Sequence, residues 1–290
     1  MKSKADKPKL GDLPVVSLEK TEQIIHVRPL EYKNPYDHTR EHRHTYFELM
    51  LFDTGGGLQL IDFQQFEAQP NSCHIIFPQQ IHLLRRNGSV GTVIQFVEEV
   101  IPSVQVRNQL RQVLFSDKPA IFFENTAERM AEIRPLIDLL KVASEKKTKI
   151  SNEIATKYLE ALLLLLVEGK ISNSVVQVSE DQKLLFHFQQ LLEEQFTHNH
   201  SVQEYVKLMN STEKKLAAAT KKFLGLSPLQ VIHNRVLLEA KRALVFEDTS
   251  HKEIAFRLGF DSPASFSQFI KNKTGYSPSE LSSHLVDIHK

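Results

Sequence analysis

The sequence predicts an α+β protein: an N-terminal antiparallel β-barrel with following helices, then an all-α domain whose two helix-turn-helix units are joined by a linker helix. Three observations carry that reading. Short apolar runs broken by turn residues fill the stretch from about Ile24 to Val97. From about Thr126 the apolar residues recur at helical spacing. The stretch SVQEYVKLMNSTEKKLAAATKKFLGLSP, from Ser201, has a look-alike in HKEIAFRLGFDSPASFSQFIKNKTGYSP, from His251. The expected organisation is a disordered tail over 1–23, a barrel with helices over 24–168, a linker over 169–181 and the helical domain over 182–290.

In the first region YFELMLF, GLQLIDF, SCHIIFP and TVIQF read as strands, separated by Gly55-Gly56-Gly57, Pro70-Asn71, Pro78 and Asn87-Gly88. Strands at this spacing suggest an antiparallel sandwich or barrel, closed or paired at its edges because an open edge exposes backbone hydrogen-bonding groups. The glycine run in GGGLQLID lacks the Lys-Ser/Thr of a phosphate-binding loop and is read as a hairpin turn. Cys73 is the single cysteine, which excludes an intramolecular disulfide, and within CHIIF it reads as a small buried hydrophobe. Tyr46, Phe52, Phe63 and Phe77 are read as core or pocket aromatics.

Met130, Ile133, Ile137, Leu140 and Val142 mark one helix, and Ile154, Tyr158, Ala161, Leu162 and Leu165 a second, started near Ser151 and ended by Gly169. LLLLL is apolar nearly all round, so it is buried against its own domain or partly spent on a subunit interface. The mixed stretch GKISNSVVQVSED then reads as the linker.

Within the repeat, Ser201 corresponds to Ser250 and Glu204 to Glu253, whereas Leu216 corresponds to Phe266 and Gly225 to Gly275. One residue is therefore inserted in the second turn. Ser250 caps a helix whose inner face is Ile254, Ala255 and Leu258; Gly259 supplies the positive φ of the turn; Ser262 caps the next helix, with Pro263 at its first position. Phe266, Phe269 and Ile270 point inward, leaving Ala264, Ser267, Gln268 and Lys271 outside. In the first unit Asn210 takes the turn and Thr212 caps, and Lys214, Ala217, Ala218 and Lys221 are outside. Between them PLQVIHNRVLLEAKRALVF is a long helix with Pro228 at its start. A protruding second helix fits the major groove, and a rigid connector would let two such helices read successive turns of double-stranded DNA.

EIAFRLGF, SFSQFIKNKTGYSP and RVLLEAKRAL together resemble the AraC/XylS family of transcription regulators, over roughly Ser201 to Leu285. The resemblance implies base-reading roles for Lys214, Ala217 and Ala218, and for Ala264, Ser267 and Gln268; Lys221, Lys271 and Arg235 would suit phosphates. The first unit departs from the pattern at Val206, at Thr220 and at Met209, where the turn glycine is expected. Its alanines at most touch thymine methyls.

REHRHTYFELMLFDTG holds His42, His44, Glu48 and Gly55 at a spacing that resembles the first motif of the cupin barrels. PQQIH, with His82, resembles a shortened second motif in which Gln80 stands for the usual Gly. Imidazoles and a carboxylate converging in a barrel suit Zn²⁺, Fe²⁺ or Mn²⁺. Against this, strand alternation alone puts His42 and His44 on one face, and AraC-like regulators commonly keep such a barrel as an organic-effector pocket without metal. His42, His44, Glu48 and His82 are therefore candidate effector-binding residues, with metal ligation or a structural role as alternatives.

A hydrophobic content of 41% and a charged content of 24% describe a soluble globular protein. The longest apolar run, Ala161 to Val167, falls far short of the roughly 20 residues that span a bilayer, so no membrane is implied. MKSKADKPKLGD has no apolar core of the secretory kind, and a cytoplasmic protein is expected. With a net charge of +1, attraction to DNA must be local. The expected function is a sequence-specific DNA-binding transcription regulator responding to a small-molecule effector bound in the N-terminal barrel, with a homodimer and RNA polymerase as further partners and no catalytic residues or cofactor. The alternative is a metal-dependent cupin enzyme, a dioxygenase or isomerase, fused to a DNA-binding module.

Overall fold

The structure, a computed structural model, describes residues 15–18, 23–32, 40–104, 106–107, 110, 121–124, 127–168 and 179–288. They fall into two compact units, one ending at residue 168 and one beginning at 179. No described helix is long and apolar enough to cross a membrane.

Among the described residues the first unit has ten strands: β1 (Val15–Val16), β2 (Ile25–Pro29), β3 (Arg43–His44), β4 (Phe47–Thr54), β5 (Gly57–Ile61), β6 (Gln64–Glu67), β7 (Ser72–Ile76), β8 (His82–Arg86), β9 (Val90–Phe96) and β10 (Ile121–Glu124). Five form an antiparallel sheet in the order β10-β7-β4-β9-β2, and three form a second in the order β6-β5-β8. β1 pairs in parallel with β3, so part of the expected N-terminal tail is strand, and a bridge between His42 and His82 ties the entry to β3 onto β8.

The expected hairpin at Gly55-Gly56-Gly57 is a crossover instead. β4 bonds to β7 and β9, while β5 bonds to β6 and β8, so the glycines carry the chain from one sheet to the other. At Gly56 (φ +130°) and Gly57 (φ +107°) a Cβ would strike the carbonyls of Asn87 and Arg85 at 2.1 Å. Nearness in sequence suggested pairing; the sheets' packing decided otherwise.

β4 is the central strand and is buried on both faces from Phe47 to Phe52. Phe47, Leu49 and Leu51 join Cys73, Ile75, Ile94 and Phe96 in a core completed by α1 (Ala127–Glu145) and α2 (Lys149–Glu168). Glu48, Met50 and Phe52 alternate to the other face, where Met50 and Phe52 pack with Ile61, Ile76 and Val93. Cys73 is fully buried as expected, and burial pushes its thiol up, away from reactivity.

The two helices form, and most of their expected inner residues are inside: Met130, Ile133, Ile137, Leu140 and Leu162 are buried, and Tyr158 and Leu165 pack half-buried against the same core. Val142 and Ile154 are exposed, whereas Ala143, Ala155, Leu159, Leu162, Leu163 and Leu166 are buried. Thr148, ahead of the expected start, exchanges hydrogen bonds with Ser151 at 2.8–3.1 Å, so α2 begins at Lys149. Gly169 and the linker up to 178 lie outside the described residues.

His74 on β7 shares the inner face with Phe52, its ring 4.8 Å from that of Phe52 and 6.3 Å from that of Phe66. Burial lowers its imidazole from 6.5 to about 4. The folded state therefore binds fewer protons than the unfolded chain between those values, and stability falls as pH drops through that window. The expected loss is up to roughly 3 kcal/mol by pH 4. His74→Phe should flatten that part of the profile in urea unfolding at pH 7 and pH 5; an unchanged acid slope would contradict it.

Among the described residues the second unit has seven helices: α3 (Glu180–Gln195), α4 (Val202–Leu208), α5 (Glu213–Leu224), α6 (Pro228–Phe246), α7 (His251–Arg257), α8 (Pro263–Thr274) and α9 (Pro278–Ile288). Ser179 caps α3 through a capping box with Gln182, so the expected linker end at Asp181 is already helix. The boxes Ser227/Gln230, Ser250/Glu253 and Ser262/Ser265 start α6, α7 and α8.

Candidate nucleic-acid interface and a buried histidine cluster

The pairs α4–α5 and α7–α8 are the two repeated units, and their turns differ in one informative way. Gly259 has φ +78°, and its counterpart is Asn210 at φ +48°, not Met209. Met209 and Leu258 are instead the equivalent, buried residues that end the first helix of each pair. Asparagine tolerates the left-handed region, which is why the first turn survives without glycine. Thr212 and Ser262 then cap α5 and α8.

Each second helix buries one stripe and presents the other. In α5, Leu216, Ala219 and Thr220 are buried while Lys214, Ala217, Ala218 and Lys221 are exposed. Thr220 fits where a bulkier residue was expected because its hydroxyl, buried, donates to the Ala217 carbonyl at 3.3 Å. In α8, Phe266 and Ile270 are fully buried; Ala264, Gln268 and Lys271 are exposed and Ser267 half-buried. Gln268 donates to Asn272 at 2.6 Å, adding an outer-face residue that the sequence reading passed over.

Arg235 sits on α6 and not on either reading helix. Its guanidinium, 11% exposed, meets Glu193 at 2.9 Å and Glu239 at 3.0 Å and lies 3.8 Å above the Phe196 ring. Its charge is spent on joining α3 to α6. Lys221 donates to the Gly225 carbonyl at 3.0 Å, which leaves its ammonium two further donors.

In the first unit the four residues singled out, His42, His44, Glu48 and His82, do converge, and all are buried. The His42 and His82 rings are 4.2 Å apart, those of His44 and His82 4.9 Å. His44 stacks on Tyr46 at 4.1 Å, and its Nδ1 meets the Tyr46 carbonyl at 2.6 Å, which fixes the proton on Nδ1. Burial, reinforced by His42, holds His44 down at about 3 and therefore neutral. Burial, with His42 and His44 adding to it, also lowers His82 well below the usual imidazole range. Burial raises the Glu48 carboxyl to about 7 against the opposing hydrogen bond from Gln95. His82 Nε2 stands 4.0 Å from Glu48 Oε1.

Two glutamines belong to this cluster that the sequence reading did not pick. Gln95 donates to Glu48 Oε2 at 2.6 Å, and Gln59 meets His82 Nδ1 at 3.4 Å. Each is a lone polar residue in an apolar strand run, a signal that TVIQF and GLQLI did carry. Gln80 is a turn residue: its side chain accepts from Phe77 N–H at 2.8 Å and donates to Asp62 at 3.2 Å.

Residues 25–167 match the family profile of an AraC-like ligand-binding domain, and residues 205–284 that of a helix-turn-helix domain. The chain is 20% identical over 244 residues to the HTH-type transcriptional activator RhaS of Enterobacter sp., spanning 83% of this chain and 86% of that protein. RhaS of Escherichia fergusonii is 21% identical over 257 residues, spanning 87% and 90%. Among solved structures, ToxT from Vibrio cholerae O395 aligns over 90% of this chain and 97% of its own at 11% identity, with a TM-score of 0.41.

Proposed function

The chain belongs to the AraC family of transcription regulators, and we propose from that premise that the outer faces of α5 and α8 are its two DNA-reading surfaces. As a member it is an effector-responsive DNA-binding regulator rather than an enzyme. The observation that carries the proposal is the division of α8: Phe266 and Ile270 fully buried, Ala264, Gln268 and Lys271 turned to solvent. The 19 residues of α6 span about 28 Å, close to the roughly 34 Å repeat of the major groove.

Base edges are assigned to Lys214, Ala217, Ala218, Ala264, Ser267 and Gln268, and phosphates to Lys221 and Lys271. Arg235 is left out of the contact set, because its guanidinium is committed to Glu193 and Glu239. The sensing unit is taken as 24–168 and the DNA-binding unit as 179–290. An effector held near His42, His44, Glu48 and His82 acts through unequal affinity for two arrangements of the chain. A homodimer would use the outward apolar residues of α1 and α2, among them Val142, Ile150 and Leu164. Contact with RNA polymerase, and a cytoplasmic location, follow from the same reading.

Affinity of the purified chain for its preferred duplex should fall steeply and linearly on a log–log plot against salt. Lys271→Ala should lower that slope by about one, uniformly across sequences, and Gln268→Ala should cost about 1–3 kcal/mol at one base position. Salt-independent binding would refute the assignment.

A further inference from the structure

We propose that His44, Glu48 and His82 form a binding site for a divalent first-row transition-metal ion, held by two imidazole nitrogens and one carboxylate oxygen. The site stands on the geometry of these three side chains and does not require the DNA-reading assignment.

One donor atom from each of the three lies within 4.8 Å of the other two. A metal at about 2.0–2.2 Å from each would draw them closer by roughly an ångström, a shift that side-chain torsions supply. The stronger argument is where the other polar atoms go. His44 gives its Nδ1 proton to the Tyr46 carbonyl at 2.6 Å, which turns the Nε2 lone pair toward the cluster. His44 Nε2 is buried and has no hydrogen-bond partner. His82 repeats the arrangement: Nδ1 faces the Gln59 amide at 3.4 Å, while Nε2 is buried and unpartnered. The Gln59 amide oxygen is also unpartnered; with that amide turned over it accepts the Nδ1 proton and leaves the Nε2 lone pair for a ligand. Glu48 has Oε2 held by Gln95 at 2.6 Å, and its Oε1 is the atom that faces His82.

Every donor thus has its far atom fixed and its near atom directed inward, the support that metal-binding imidazoles and carboxylates require. Without a cation the same arrangement leaves buried polar atoms unsatisfied, which is costly and uncommon. Cys73 shares the sheet but its side chain lies in the helix-covered core, so the donor set is nitrogen and oxygen, suited to Zn²⁺, Fe²⁺, Mn²⁺ or Co²⁺.

The test uses the full chain stripped with a chelator and titrated with Co²⁺, read by its d–d spectrum, then with Zn²⁺ by calorimetry. One ion per chain is expected, with a nitrogen/oxygen ligand-field spectrum and a raised melting temperature. His44→Ala and His82→Ala should each weaken binding by at least about 100-fold. Glu48→Gln keeps the shape and the fold and should weaken it by at least about 10-fold, so the test survives if an alanine variant does not fold. Absence of a spectrum and of a melting shift at stoichiometric metal would overturn the proposal, as would unchanged binding in Glu48→Gln or in a folded His44→Ala/His82→Ala protein. DNA affinity is measured alongside for the metal-free and the metal-loaded chain; no binding in either form would strike the DNA-reading assignment and not the metal site.

Discussion

Gly259→Ala is expected to destabilise the helical unit by at least about 3 kcal/mol and to remove the second reading helix from its place. Two separate costs meet at this residue. Its φ of +78° lies in the left-handed region, where a side chain costs roughly 1–2 kcal/mol. A Cβ there would also stand 2.4 Å from the Thr197 carbonyl oxygen, a backbone atom that cannot swing aside. Gly225 supplies the control. It has φ +72°, ends α5, and has nothing within 4 Å of its would-be Cβ. Gly225→Ala should therefore carry the conformational cost alone, about 1 kcal/mol. Urea unfolding of the two variants side by side reads the difference, and equal midpoints would show that the contact with Thr197 does not constrain the turn.

The second large effect is expected at Glu239. Its carboxylate meets Arg235 at 3.0 Å and Arg242 at 3.2 Å, and those two guanidinium side chains are 11% and 4% exposed. Glu239→Ala removes the charge they share and should cost about 3 kcal/mol, the range for breaking a buried ion pair from one side. Glu239→Gln, which still accepts a hydrogen bond, should cost less. Since Arg235 also lies over Phe196 on the stretch that follows α3, Arg235→Ala should lower the melting temperature. At a temperature where that variant stays folded, its DNA binding should keep the salt slope of the parent chain. A slope reduced by one would return Arg235 to the phosphate contacts.

The helical repeat was open to sequence reading because local rules settle it. Ser250, Ser262 and Pro263 are capping signals, Gly259 is a turn signal, and the buried stripe follows from helical period, so α7 and α8 emerge nearly residue by residue. The strands were legible as strands, but their partners were not. Which strands bond is decided by packing between sheets, and the glycine run before Leu58 crosses over where a local rule suggests a hairpin. The edges of the buried faces of α1 and α2 have a similar origin: Val142 and Ile154 stay outside while Ala143, Ala155 and Leu159 join the core beneath the sheet, and an all-round apolar LLLLL gives no local hint of it. His42, His44, Glu48 and His82 could be picked from spacing, yet Gln59 and Gln95 could not be joined to them without the register that sets Gln95 opposite Glu48.

Selection of bound duplexes from a random pool by the purified chain, repeated with Gln268→Ala, tests the central claim most directly. The account predicts enriched sites with two conserved segments about one helical turn apart, and loss of base preference in one segment alone when Gln268 is altered. Enrichment of no sequence, or an identical motif from both proteins, would contradict it.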